Sequence, residues 1–466
     1  MATIEPASFR DPCGFIYRNP GGPLLRQINP EYAEDYSRLI ESGLYADLVK
    51  MDLLVSHETA PLSDRATERA WRVIRPREIP FISYPYEWSF SQLKAAALLT
   101  LEIQQRALRF GMSLRDASAF NVQFEGEHAV FIDTLSFERY HPGTAWVAYG
   151  QFCRHFLAPL ALMSRIDVRL NRLLRLFIDG IPLDLAVRML PWRARLRFGL
   201  LAHLYLHAWS VRRHESTSRV VQPLSTVKKG HVSETGLQAL LENLKATVSR
   251  VYWQPSATEW RDYYADNSYT NESLELKKQF VAQCVDRLHP QRVWDLGANT
   301  GVFSRIAADR GAYTVAFDID SACVEMHFLE CQKLRIRNVL PLCLDLTNPS
   351  PGIGWAHTER RSHIGRGPVD LAMALALIHH LRISNNVPLT NIAEYFHRIC
   401  RHLLVEFVPK NDPQVQRLLR SREDIFCDYT QEGFEHSFQN HFGVLESLPL
   451  EKDGRILYLM EARTAI

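Results

Sequence analysis

At 466 residues the chain is too long for one typical core, and 46 % hydrophobic with 23 % charged residues is ordinary for a globular protein, so two or three domains are expected. A formal net charge of +2 gives no global pull towards nucleic acid, and no run of 18 or more apolar residues is present to cross a bilayer. The opening residues lack the apolar core of a secretory signal, and the eight cysteines are scattered without a C-x-x-C pair, so the expectation is a cytoplasmic protein with reduced thiols and no metal.

In chain order, Gly14–Arg18 and Leu24–Ile28 flank an Asn-Pro-Gly-Gly-Pro turn and read as a hairpin. Residues 32–42 carry apolar side chains at helical spacing up to Gly43, and residues 91–110 predict a second helix, closed by Gly111. Next come Arg115-Asp116, then Asn121 five positions after Asp116, a turn at Glu125-Gly126, and an apolar strand ending at Asp133. This pattern resembles the catalytic centre of protein kinases and small-molecule phosphotransferases. The resemblance implies a kinase-like α+β core with Asp116, Asn121 and Asp133 in its loop.

Several features depart from that family. Asp133 is followed by Thr134-Leu135, no G-x-G-x-x-G lies upstream, and only Lys50 and Lys94, both on expected helices, precede Asp116. A degenerate core that does not transfer phosphate is expected. The alternative is a phosphotransferase working through Asp116, Asn121 and Asp133.

Residues 150–220 form a helical lobe. From Arg165 to Arg219 eleven arginines face only Asp167, Asp179, Asp184 and Glu215, with leucines recurring at helical spacing. The pattern suits either arginines turned to water or peripheral contact of the 165–219 stretch with an anionic surface or acidic partner. Residues 216–233 read as a polar linker. The expected division is 1–235 for an α+β and helical domain and 236–466 for a second domain.

Within the second domain, Trp260, Tyr263, Tyr264 and Tyr269 are candidates for a lid or acceptor wall, or for core packing. A helix over 272–288 then leads into Val293-Trp294-Asp295-Leu296-Gly297-Ala298-Asn299-Thr300-Gly301, a buried strand, a glycine turn and a helix start. A dinucleotide site would read G-x-G-x-x-G with its acid about 20 residues on. Here the carboxylate of Asp295 precedes the first glycine, where it would repel a pyrophosphate but suits an ammonium. The next strand ends at Asp318, suited to gripping two ribose hydroxyls.

At this point the chain resembles the class I S-adenosylmethionine-dependent methyltransferases. The resemblance implies S-adenosyl-L-methionine as cofactor, held by Asp295, Gly297, Asn299, Gly301 and Asp318. It also implies an adenine contact from Asp345 at the end of a third strand. A Gly/Pro/Arg-rich loop over 350–368 is long enough to bind the acceptor. The fourth strand, 370–377, leads to His379 and His380, candidate catalytic bases at the carboxyl end of the sheet. The fifth, 402–407, carries Glu406, a candidate for orienting the acceptor. A final hairpin, Phe442–Leu450 with 455–461, implies a seven-stranded Rossmann-like sheet with an antiparallel last strand.

The whole-chain order, a kinase-like front and a methyltransferase back, resembles the bacterial family grouped with nodulation protein NoeA of rhizobia. It implies methyl transfer in host-specific nodulation to an unidentified saccharide or lipid intermediate, small metabolite or protein. A non-catalytic adaptor with a vestigial cofactor site stays open beside the phosphotransferase.

Overall fold

The computed structural model describes residues 2–210, 232–255, 271–420, 422–450 and 454–463. The aromatic lid candidates and most of the 216–233 stretch lie outside the described residues. The chain forms two compact units, Met1–Phe124 with His128–Gln254 and Ile353–Arg360, and Glu125–Glu127 with Pro255–Gly352 and Arg361–Ile466.

The first unit opens with strands β1 (Thr3–Ile4), β2 (Gly14–Arg18), β3 (Leu24–Ile28), β4 (His57–Ala60) and β5 (Arg72–Pro76), in the sheet order β1-β2-β3-β5-β4. The expected hairpin is β2–β3, and the helices Ala33–Glu41 and Leu44–Lys50 fill the connection from β3 to β4. Cys13, Ile28, Tyr32, Tyr36, Ile74 and Leu135 form a buried cluster behind this sheet. The helix Phe90–Arg109 starts at a capping box: Ser89 Oγ accepts from Gln92 N, and Gln92 Oε1 accepts from Ser89 N at 2.8 Å.

Strands β6 (Met112–Leu114), β7 (Val122–Glu125), β8 (His128–Phe131) and β9 (Phe137–Arg139) follow as two short pairs, β6–β9 and β7–β8. A strand pair flanked by the long helix carries Arg115, Asp116 and Asn121 between β6 and β7, and Asp133 between β8 and β9.

The helix Glu234–Arg250 packs on Phe90–Arg109 and belongs to this unit, so the division falls after Gln254, beyond the sequence-based 235. Lys94 Nζ fastens it by donating to Ser249 O at 2.8 Å and Val251 O at 2.9 Å, and Lys245 pairs with Glu102 at 2.9 Å. Of the expected acceptor loop, Ile353–Arg360 also packs with the first unit. There Glu359 bonds Arg10 at 2.9 Å and Arg360 lies 4.5 Å over the Phe120 ring.

The second unit is a seven-stranded sheet of β10 (Arg292–Leu296), β11 (Tyr313–Asp318), β12 (Val339–Cys343), β13 (Val369–Ala374), β14 (Cys400–Phe407), β15 (Phe442–Leu450) and β16 (Arg455–Ala462). The order is β12-β11-β10-β13-β14-β16-β15, with β16 antiparallel to both its neighbours. This is the Rossmann-like methyltransferase topology expected from the motif order. The strand order reverses beside β10, and at such a switch point open α/β sheets bind ligands at the carboxyl ends of the strands, here those of β10, β11 and β13. One face is covered by Asn271–Leu288 and Val302–Ala308, whose Phe280, Val281, Phe303 and Ala307 pack on Val293, Leu371, Met373 and Leu404. β13 ends at Ala374 rather than 377, because Ala376 adopts φ +50° and a left-handed residue cannot continue a ladder.

Candidate active site

The turn after β10 is built by two glycines in left-handed backbone, Gly297 at φ +77° and Gly301 at φ +78°, with Asn299 at φ +51° between them. Gly297 N and Ala298 N donate to Phe317 O at 2.8 and 2.9 Å, which ties the turn to the end of β11. Asp318, the next residue, accepts from Asn299 N at 2.7 Å and from Asp320 N at 2.8 Å. One carboxylate thus holds the glycine turn and the start of the following segment together, with further lone pairs on each oxygen.

Asp295 is buried at the tip of β10, where its Oδ2 accepts from the Ser304 hydroxyl at 2.6 Å. Burial raises Asp295 and Asp318 to about 6, well above the ordinary carboxylate range. Two desolvated carboxylates facing one turn fit an ammonium and a pair of hydroxyls and disfavour a pyrophosphate, so the donor set suits S-adenosylmethionine. Asp345, half-buried after β12, accepts from Thr347 N at 2.9 Å and Thr347 Oγ1 at 2.6 Å.

His327, on the helix Ser321–Leu334, was not singled out by the sequence. Its ring fills the space beneath Gly301: a Cβ there would fall 1.9 Å from His327 Cε1. Nothing in the local pattern marks it, because its role comes from a contact 26 positions away.

His379 and His380 lie just past the end of β13 with ring centroids 4.1 Å apart. His379 is 2 % exposed and its Nδ1 has no partner among the described residues, whereas His380 is half-buried. Burial depresses both, His380 to about 4 and His379 well below its ordinary value, so both rings are neutral at physiological pH.

Glu406 is fully buried in an ion network rather than lying at the surface. Its Oε2 accepts from Lys277 Nζ at 2.6 Å and its Oε1 from Arg455 at 3.2 Å, and Arg455 also binds Asp412 at 2.8 Å. Lys277 Nζ lies 4.7 Å over the Phe303 ring. Lys277 and Arg455 were missed in the sequence; Arg455 opens β16 directly after the Glu-Lys-Asp-Gly454 run, where a charge reads as part of a turn.

In the first unit, Asp133 is held by Arg26 on β3 at 2.5 Å and by the Ser136 hydroxyl. Burial, the largest single influence on Asp133, would raise it, but the Arg26 charge together with the hydrogen bonds from Ser136 and Leu135 N leaves the carboxyl lowered. Asp116 accepts from Ser118 N at 2.9 Å and Gln151 Nε2 at 2.8 Å, and is raised by burial and by nearby Asp133. Asn121 Nδ2 donates to Ser136 at 3.3 Å, and the Arg115 guanidinium sits 4.9 Å over Tyr32. The cation paired with the acid that follows β8 is thus an arginine on β3. No cluster of three or more His, Cys, Asp or Glu able to hold a metal occurs among the described residues.

No family model matches the chain. Among solved structures it is similar to WbdD, at 16 % identity and a TM-score of 0.30, over 43 % of this chain and 42 % of that one. It is also similar to the N-methyltransferase NodS from Bradyrhizobium japonicum WM9, at 10 % identity and a TM-score of 0.31, over 42 % of this chain and 98 % of that one. Nodulation protein NoeA of Rhizobium meliloti strain 1021 is 34 % identical over 463 residues, 97 % of this chain and 95 % of that protein. With that identity sustained across both units, the chain belongs to the NoeA family of nodulation proteins, whose second unit here carries the methyltransferase fold.

Proposed function

We propose that the second unit transfers the methyl group of S-adenosylmethionine to an acceptor made or used in nodulation, a saccharide or lipid intermediate, a small metabolite or a protein. The observation that carries this reading is the Asp318 carboxylate bonded to Asn299 N and Asp320 N at the mouth of the Gly297–Gly301 turn, with Asp295 beside it. Asp295 receives the cofactor's ammonium, Asp318 accepts from the ribose hydroxyls, Gly297, Asn299 and Gly301 shape the turn around the cofactor's amino-acid end, and Asp345 meets the adenine edge. The cofactor supplies an electrophilic methyl on sulfur. The chain's part is to hold the acceptor atom in line with it and to exclude water.

His380, neutral and half-buried, accepts a hydrogen bond from the acceptor's O–H or N–H and draws off its proton as the methyl arrives. His379, more deeply buried, supports it from behind. Glu406 acts through Lys277 and Arg455, fixing β14 and β16 instead of touching the acceptor. The seven buried cysteines form no disulfide among the described residues, which favours a reducing, cytoplasmic setting. No helix among the described residues is long and apolar enough to cross a membrane.

Titration calorimetry of the full chain with S-adenosylmethionine tests the cofactor site. Charge-assisted bonds are worth about 1.5–3 kcal/mol, so Asp318→Ala should weaken binding about 10-fold to 200-fold. Unchanged affinity removes Asp318 from the site, and no binding by the unaltered chain leaves the adaptor reading in its place. Labelled cofactor with extracts of the source organism then reports the acceptor, and His380→Ala should lower turnover with little change in cofactor affinity.

A further inference from the structure

The helical lobe of the first unit carries a surface that methyl transfer does not use. Trp192–Leu196, Phe198–Leu200 and Leu201–Leu206 pack on one another as a continuous piece. Its inner side is committed. Ala194, Leu200, Leu204 and Ala208 are buried, and His203 Nε2 meets Asn243 Oδ1 on the helix Glu234–Arg250 at 2.8 Å. Gly199 lies so close to that helix that a Cβ would come 2.0 Å from Thr247 Oγ1.

Large apolar side chains on the piece are exposed: Trp192 by 66 %, Leu196 73 %, Phe198 72 %, Leu206 55 % and Trp209 56 %. Arg193, Arg195 and Arg197 alternate with these side chains, are exposed themselves, and pair with no carboxylate among the described residues. No Asp or Glu occurs in the sequence between Asp184 and Glu215. Burying so many large apolar side chains in water's absence is favourable at roughly 25 cal/mol per Å2. The interleaved charges decide where that burial takes place.

A second copy of the chain is disfavoured as the occupant, because a twofold contact through this face sets arginine against arginine. An anionic bilayer answers both features: tryptophan, phenylalanine and leucine enter the boundary between headgroups and acyl chains, and the guanidinium groups stay at phosphate level. We infer that residues 192–209 form a peripheral docking surface for an anionic lipid membrane. This inference is independent of the cofactor site, which lies on other residues. It replaces the sequence-level choice between solvated arginines and an unspecified partner with one face and one kind of surface.

The test is sedimentation of the full chain with vesicles of phosphatidylcholine alone and of phosphatidylcholine with phosphatidylglycerol in equal parts. Binding is expected to the anionic vesicles, weakening as salt is raised. Arg193→Gln, Arg195→Gln and Arg197→Gln should each lower partitioning roughly fivefold, and all three together roughly 100-fold. Trp192→Ala with Phe198→Ala should also lower it, with the far-UV circular dichroism spectrum and the urea midpoint unchanged as the check that the chain remains folded. Equal binding to both vesicle types overturns the inference, as does no binding to either. Concentration-dependent self-association that Leu196→Ser abolishes, without vesicle binding, assigns the face to another copy instead. The comparison of the two vesicle types uses the unaltered protein and so does not depend on how any variant folds.

Discussion

Replacing Gly301 by alanine puts the turn after β10 to a quantitative test. At φ +78° a residue with a Cβ is strained by roughly 1–2 kcal/mol. The added carbon would also lie 1.9 Å from Cε1 and 2.0 Å from Nε2 of His327, whose ring is 1 % exposed. Overpacking of this kind costs about 1–3 kcal/mol, so the total is about 2–5 kcal/mol, a large part of the stability of an ordinary domain. Gly297→Ala is the internal control. Its φ is +77°, but the nearest atom to a Cβ is Leu377 Cδ1 at 3.3 Å, the end of a flexible side chain, which leaves mainly the backbone cost. Urea unfolding of Gly301→Ala, His327→Ala and the double variant separates the two terms. The steric part should return as a coupling of about 1–3 kcal/mol in the double-mutant cycle while the backbone part persists. Zero coupling, or a Gly301→Ala protein as stable as Gly297→Ala, would refute the packing of His327 beneath the turn.

Cofactor affinity should depend on pH through Asp295 and Asp318, both raised to about 6 by burial. Their ionised forms make the contacts, so affinity should be full above this range and fall by up to roughly tenfold per pH unit for each group below it. The effect of these groups on folding has the opposite sign: their raised values add stability below the unfolded carboxylate pKa, and that stability is lost as pH rises through about 6. His380, depressed to about 4, adds stability above its unfolded value that is lost as pH falls, so calorimetric affinity and not melting is the clean readout. Lys277→Met should destabilise the second unit by about 3–5 kcal/mol in urea unfolding, because Glu406 loses a partner at 2.6 Å in a fully buried setting; a neutral result would mean that Arg455 alone satisfies Glu406. The first unit should show no magnesium-dependent ATP turnover, because Arg26 already occupies Asp133. Turnover that Asp133→Ala abolishes would overturn this.

The sequence by itself determined the local and periodic features: the β2–β3 hairpin, the long helix read over 91–110 and closed by Gly111, the glycine turn with Asp295 and Asp318, and the closing antiparallel pair. Each is written in spacing and turn chemistry over a few neighbours, which is why each could be read without coordinates. Their order along the chain was enough to specify the methyltransferase sheet. Only the tertiary structure decided what depends on distant pairs. It buried Glu406, a candidate for orienting the acceptor, between Lys277 and Arg455, which are 129 and 49 positions away. Folding also set Arg26 on Asp133, slid His327 under Gly301, and assigned Glu234–Arg250 and Ile353–Arg360 to the first unit. Those outcomes are fixed by which surfaces close on one another to exclude water, and a buried charge must find its partner wherever the fold brings one within reach.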